Sequence, residues 1–265
     1  MPVDHYENFP VASWLLPAAL RAPIEAIYGF ARGADDIADE GTARDADRLA
    51  GLARYAAALD AIERDETPAG FEKIAAAVRE HDLPVPLLRD LLDAFSQDVT
   101  TKRYADYARV LDYCRRSANP IGRLLLHLFR MTDASSLAES DAICTSLQLV
   151  NFWQDVAIDW KKGRVYIPAE DLDRFQVTEG DIDAARTGER WTRLMAFQCA
   201  RSRQLLMSGA PLGRRLPGRM GLEIRATVAG GARILDRIDA AQGDVFRKRP
   251  VLKAWDWAII GVRSI

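Results

Sequence analysis

Cysteine and histidine are scarce in this chain. Of its 265 residues three are cysteine (Cys114, Cys144, Cys199) and three are histidine (His5, His81, His127). The cysteines are odd in number, show no CxxC spacing and sit in apolar, helix-like surroundings. A disulfide framework and a zinc finger are therefore excluded, and the thiols read as reduced packing residues of a cytosolic protein. His127 in "LLLHLF" reads as a core imidazole and His81 as a residue before a turn. Strand signals are nearly absent, with no alternating β-branched run between hairpin turns. No apolar run approaches the ~20 residues a membrane span needs. The opening "MPVDHYENFP" carries acids where a secretory signal has cations, so none is read there. A net charge of -2 steers nothing toward nucleic acid. A lipid substrate reached from a membrane surface stays open. The aromatic C-terminal "AWDWAIIGVRSI" is expected to pack on the protein body.

What is present is helix. The chain is 49% hydrophobic and 28% charged, as in globular rather than disordered proteins. "RAPIEAIYGFARGADDIAD" places Pro23 at a first-turn position and repeats apolar residues with a 3.6 period. "DADRLAGLARYAAALDAIERD" continues that period. Pro68 and "HDLPVP" mark breaks, and Pro84 and Pro86 open "LLRDLLDAFSQDV". "YADYARVLDYCRRSA" and "NPIGRLLLHLFRM" follow, with a break or kink at Asn119-Pro120. A long helix is expected from about Glu139 to Trp160, then a loop, "KKGRVYIP", and two more helices, "ERWTRLMAFQCARSRQLLMSGA" and "GLEIRATVAGGARILDRIDAA". The expectation is one all-α domain over residues 1–265, a bundle around a central cavity.

One stretch does not suit a plain core helix. "VNFWQDVAIDW" (150–160) is mostly bulky and apolar, yet Asn151, Asp155 and Asp159 recur at every fourth position. On a helix these drift by only about 40° per step and rise ~6 Å each time, so they share one stripe. Gln148 joins its edge. Partly buried carboxylates one turn apart repel, at a cost of several kcal/mol each unless neutralised. No lysine or arginine follows on this helix until Lys161. A Mg²⁺ ion suits the need: it takes oxygen ligands, keeps waters, and shares its shell with one or two carboxylates and a phosphate. Zinc does not, because no His or Cys joins the ladder. "ARGADDIADEG" supplies a second acidic group, Asp35 and Asp39 at i and i+4, with Asp36 beside them and Arg32 one turn earlier. Two such ladders facing across a cavity would hold metal ions on either side of a diphosphate. The plainer readings are a solvated surface at 35–39 and an ion pair of Asp159 with Lys161 or Lys162.

These motifs resemble the squalene and phytoene synthases. "DDIAD" (35–39), "NFWQDVAID" (151–159) and "GRVYIP" (163–168) look like that family's two aspartate-rich motifs and adjoining loop. "HYENFPVASWLLP" (5–17), "YCRRSANPIG" (113–122) and "LQLVNF" (147–152) match its other signature segments. The resemblance implies the all-helical isoprenoid synthase fold, two or three Mg²⁺ ions, and ionisation of a prenyl diphosphate inside an apolar tunnel. It implies metal ligation by Asp35, Asp39, Asn151, Asp155 and Asp159. Arg32, Arg164 and Tyr166 become diphosphate and active-site loop residues, Tyr28 and Gln148 line the chamber, and His5 lies near the diphosphate. Lys248, within the basic run Arg247-Lys248-Arg249, takes the place of a late basic residue.

Several positions depart from the common pattern. Gln154 stands where relatives commonly have Arg, and "HYENF" replaces a His-Ser-rich start. Gly231 stands where relatives often place Tyr. Together these are similar to the hydroxysqualene synthases of bacterial hopanoid pathways. That branch ionises presqualene diphosphate, rearranges the cation and lets water capture it, with no NADPH expected. Tyr28, Gln148 and Gln154 are candidates for holding the water, and Phe30, Leu125, Leu147 and Val150 for the chamber wall. The alternatives are a head-to-head prenyl synthase making squalene, dehydrosqualene or phytoene, and a non-catalytic assembly-factor relative. Intact acidic ladders speak against the last. The branch implies a cytoplasmic protein, with peripheral contact at the inner face of the membrane and neighbouring hopanoid-pathway enzymes as its expected surroundings.

Overall fold

The computed structural model describes residues 17–253 together with 255, 256 and 260. Thirteen helices run through them: α1 (Ala18–Asp39), α2 (Asp45–Glu63), α3 (Glu72–His81), α4 (Val85–Thr100), α5 (Tyr107–Ser117), α6 (Asn119–Leu128), α7 (Ala134–Gln154), α8 (Val156–Lys161), α9 (Ala169–Arg174), α10 (Glu179–Asp183), α11 (Glu189–Gly209), α12 (Leu212–Arg215) and α13 (Gly218–Ala240). No strand forms among the described residues; the one β-type contact is an isolated parallel bridge between Arg103 and Val165. The all-α expectation holds.

Local chemistry sets several helix ends. The Asp106 side chain accepts from the Arg109 amide at 2.8 Å and starts α5. Asp133 does the same for α7 through Ser136 at 3.0 Å, each satisfying one of the orphan donors of a first turn. Pro120 sits in the first turn of α6, where its missing N–H costs nothing. Pro23 behaves differently from expectation. The helix begins at Ala18, so Pro23 lies inside α1. The carbonyl that would have taken its N–H belongs to exposed Ala19, where water can replace the bond.

Apolar stripes pack these helices into three clusters. Ile24, Ile27, Leu59, Leu88, Leu91 and Leu124 anchor one between α1, α2, α4 and α6. Leu149, Trp153, Leu194, Ile234 and Leu235 anchor another around α7, α11 and α13. A smaller one joins Leu126, Leu206, Leu212 and Met220. α7 runs through the middle. Its Trp153 is fully buried and donates to Ser202 Oγ on α11 at 2.8 Å. Where α7 meets α11 the approach is close enough that a Cβ on Gly209 would stand 2.4 Å from the Glu139 carbonyl oxygen.

The long helix expected to reach Trp160 is interrupted. α7 ends at Gln154, Asp155 has φ −103° and ψ 10°, and α8 takes up the chain at Val156. The bonds from the Asp155 amide to Asn151 (2.9 Å) and from the Asp159 amide to Asp155 (2.8 Å) still bracket the break, so the ladder residues keep their common side. The cysteines form no disulfide; Cys114 and Cys199 are buried, Cys144 partly so.

Candidate active site

A cavity of about 650 Å³ opens between α1 and the α7–α8 segment. From α1 it takes Tyr28, Arg32, Asp35 and Asp39, spaced i, i+4, i+7 and i+11, which is one face of a helix. From the facing segment it takes Gln148, Asn151, Asp155 and Asp159. Arg164 and Tyr166 enter from the loop after α8. Ten of the twelve residues to which the family resemblance gives a metal, diphosphate or chamber role thus line one space. His5 lies outside the described residues. Lys248 is exposed and off the wall, and its neighbour Arg249 reaches the cavity instead. The register follows from Gln154. That side chain is 1% exposed and donates to the Pro250 carbonyl at 2.5 Å. It fixes the 249–250 segment and takes no place on the cavity wall, contrary to the water-holding role considered for it.

The two acidic ladders differ in how their charge is met. Lys162 Nζ donates to Asp39 at 2.7 Å and Arg164 forms a further ion pair with it. Burial opposes the charge on Asp39, but Arg164 and Lys162 outweigh burial and hold its carboxyl below the usual value. Asp155 is gripped by Arg249, which comes from 94 residues further along the chain. Counting only neighbours on the helix misses these cations. Lys162 bonds Asp39 rather than Asp159 and acts on Asp159 only as a nearby charge that lowers its carboxyl.

Asp35 and Asp159 are less well compensated. Burial, then Asp39, push the Asp35 carboxyl up to about 7, against a lowering by Arg32. Arg32 divides itself between Asp35 at 3.4 Å and Asp36 at 2.8 Å. Burial, then Asp155, push Asp159 up to about 8, and Asp39 from the opposite helix adds to the rise. The cross-helix influence shows that the two motifs share one electrostatic space. The donors are all oxygens, the set a hard divalent ion takes. Among the described residues no three His, Cys, Asp or Glu side chains converge tightly enough to cage an ion by themselves. The fit to Mg²⁺ rests on the oxygen-only donors of the two facing segments, of a kind that ion shares with water and a phosphate.

Behind the ladders lies a buried polar wall in which Tyr166 was expected and Asp98 and Tyr113 were not singled out from the sequence. Asp98 of α4 is 4% exposed. It accepts from Tyr113 Oη at 2.5 Å and from Tyr166 Oη at 2.9 Å. Burial raises its carboxyl above the ordinary value although both phenols bond it. Tyr166 stacks on Phe152 with ring centres 3.8 Å apart. Phe95, Ile121 and Ile158 supply apolar surface to the same cavity. None of the four wall candidates from the sequence lines it. Phe30 packs instead against Tyr55 and Phe71, with ring centres at 5.2 and 6.4 Å, Val150 is core, and Leu125 and Leu147 pack against core clusters.

Residues 3–256 match the squalene/phytoene synthase family. The chain belongs to that family. Hydroxysqualene synthases from Rhodopseudomonas palustris and Sinorhizobium fredii are 34% and 32% identical to it. The alignments cover 96% and 98% of this chain and 86% and 88% of theirs. Among solved structures, the squalene synthase HpnC from Alicyclobacillus acidocaldarius superposes with a TM-score of 0.83 at 33% identity, over 90% of each chain. A dehydrosqualene synthase superposes with a TM-score of 0.82 at 19% identity, over 94% of this chain and 87% of its own, and shares the fold. The fold of this family member is therefore the helical isoprenoid synthase bundle. No helix among the described residues is long and apolar enough to cross a membrane.

Proposed function

We propose that this squalene/phytoene synthase family member is a hydroxysqualene synthase. It would convert presqualene diphosphate and water to hydroxysqualene and diphosphate. The carrying observation is the convergence of Asp35, Asp39, Asn151, Asp155 and Asp159 with Arg32, Lys162, Arg164 and Arg249 on one cavity that has an apolar, aromatic interior. A diphosphate needs the charged end and a prenyl chain the other.

In this reading Asp35 and Asp39 on α1, and Asn151, Asp155 and Asp159 on the facing segment, are the oxygen donors that would hold Mg²⁺ beside a diphosphate. When bound, such ions neutralise the leaving diphosphate and draw electrons from the breaking C–O bond. Arg32, Arg164 and Arg249 add fixed positive charge around the same group, aimed where negative charge develops. Phe152, Tyr28 and Phe95 line the same cavity and would wall the space in which the cation forms. Aromatic faces stabilise cationic charge by about 0.5–2 kcal/mol each and keep bulk water off it. Capture then depends on one water placed by polar groups of the cavity wall, to which Tyr28 and Gln148 belong. The reaction uses no hydride donor. A cytoplasmic protein meeting its lipid substrate at the inner face of a membrane fits this chemistry.

The test is incubation with presqualene diphosphate and Mg²⁺ in the absence of any reductant, followed by product analysis. A hydroxylated C30 alcohol is expected. A C30 hydrocarbon formed from farnesyl diphosphate as the sole substrate would move the protein to the head-to-head synthases and end this reading.

A further inference from the structure

Asp98 stands out among the buried groups not yet given a task. It is the one carboxylate of α4 that faces the cavity. Its two oxygens divide two donors: Tyr113 Oη bonds Oδ2 and Tyr166 Oη bonds Oδ1. Arg164 and Lys102 donate to its backbone carbonyl, at 3.2 and 2.5 Å, and not to the carboxylate. One residue thus ties α4 to α5 and to the loop after α8.

A phenol has one hydrogen. Tyr113 and Tyr166 both spend theirs on Asp98, so toward the cavity, which both line, each oxygen can only accept. A water that attacks a carbocation must turn a lone pair to the carbon, which leaves its two hydrogens pointing away. Two phenol oxygens locked as acceptors match those two hydrogens.

We propose that Asp98 is a positioning residue for water capture, fixing Tyr113 and Tyr166 as the two acceptors that orient the nucleophilic water. The proposal rests on the hydroxysqualene synthase reading. The water oxygen forms the C–O bond with its lone pair. The resulting oxonium gives a proton to a phenol oxygen as that phenol's own hydrogen passes to Asp98. Alcohol, phenol and carboxylic acid are then all neutral, and the charge of the cation and the carboxylate has cancelled. Burial, which raises the Asp98 carboxyl, favours the accepting step.

Asp98→Asn separates this role from a structural one. The amide keeps size and hydrogen bonding but must donate through its nitrogen, so one phenol is freed to turn its hydrogen into the cavity. With presqualene diphosphate and Mg²⁺, released diphosphate and hydroxylated product are counted together. Their ratio is one to one if every ionisation ends in capture. In Asp98→Asn the hydroxylated share should fall about tenfold, the scale of one charge-assisted hydrogen bond lost, with hydrocarbon products taking its place. Tyr113→Phe and Tyr166→Phe keep the rings and should each lower the share, which carries the test if the Asn variant does not fold. A hydroxylated share unchanged in Tyr113→Phe and Tyr166→Phe, or in a folded Asp98→Asn, overturns the proposal and leaves the function standing. Failure of the unaltered protein to make any alcohol overturns the function itself, and the proposal with it.

Discussion

Arg249 grips both carboxylate oxygens of Asp155, its Nη2 donating at 3.1 Å, although 94 residues separate them. Both side chains are largely shielded, with 15% and 23% of their surface exposed. The pair brings the C-terminal segment onto the second acidic motif and leaves a cation beside the place where diphosphate is proposed to sit. Arg249→Ala should lower kcat/KM on the order of 100-fold, as loss of a preorganised charge at a developing anion does. Arg249→Lys should recover part of it, since a point charge replaces a two-pronged one. Without metal, Arg249→Ala should also lose ~1–3 kcal/mol of stability, because Asp155 is left shielded and unpaired. Steady-state kinetics and denaturant melts measure both, and unaltered kcat/KM in Arg249→Ala would remove Arg249 from the site.

Asp35 is a charge the metal-free protein holds at a disadvantage, pressed by burial and by Asp39. Asp35→Asn keeps its shape and removes the repulsion. Turnover should fall by more than about 100-fold if Asp35 is the metal ligand proposed beside the leaving group. The melting temperature of the metal-free variant at about pH 8 should rise by a few degrees, as when a strained functional charge is relieved. Asp155→Ala should also abolish turnover while far-UV circular dichroism stays helical. Normal turnover in either variant is incompatible with the ladders holding metal.

Which parts of this site were legible in the sequence follows from where the information lies. The ladders are local: i and i+4 spacing among bulky apolar residues marks oxygen on a packed helix, whatever the rest of the chain does. Arg249 is not local. It follows a helix end, in irregular chain without periodicity, and its register rests on the bond from Gln154 to the Pro250 carbonyl. Asp98 had a signal that went unread. In "LLRDLLDAFSQDV" it falls seven residues after Leu91 and three after Phe95, on the apolar face of α4. An acid on that face is buried, and a buried acid needs partners. The chamber walls were the least legible, because Phe30 and Val150 carry the same helical period whether they face a core or a cavity.

Two glycines separate tolerable crowding from intolerable crowding. A Cβ on Gly231 would meet Leu147 Cδ2 at 2.8 Å and Leu206 Cδ2 at 3.2 Å, both ends of mobile side chains. Alanine's helix preference over glycine, about 1 kcal/mol, works against that crowding. Gly231→Ala should therefore change stability by less than ~1 kcal/mol. A Cβ on Gly209 would meet backbone, the Glu139 oxygen at 2.4 Å, and Ile143 Cγ1 at 2.6 Å. Neither α7 nor α11 can yield there without moving the other, so Gly209→Ala should cost ~2–3 kcal/mol. Urea melts decide it, and equal losses at the two positions would contradict the packing described for α7 and α11.

Metal and proton should compete at the acidic ladders. The carboxyls of Asp35 and Asp159 are pushed up to about 7 and about 8, mainly by burial and by Asp39 and Asp155 respectively, from an ordinary value of 3.8. Between the ordinary and the raised values the folded protein binds more protons than the unfolded chain. Stability contributed by these two groups is therefore full below pH 4 or so and falls as pH rises through 7 and 8. Mg²⁺ has the opposite preference, since it needs the carboxylates ionised and releases their protons on binding. Millimolar Mg²⁺ with inorganic diphosphate should raise the melting temperature more at about pH 8.5 than at about pH 6, with the gap between the two conditions widening with ligand concentration toward a constant set by the ratio of the two affinities. Titration calorimetry in two buffers of different ionisation enthalpy should detect net proton release near pH 7. The Asp35→Asn, Asp159→Asn double variant should lose the part of the pH dependence and of the proton release that exceeds what diphosphate, itself a titrating group, contributes. A stabilisation by Mg²⁺ and diphosphate that is the same at both pH values, with no proton release, would mean that the ions bind away from these two carboxylates.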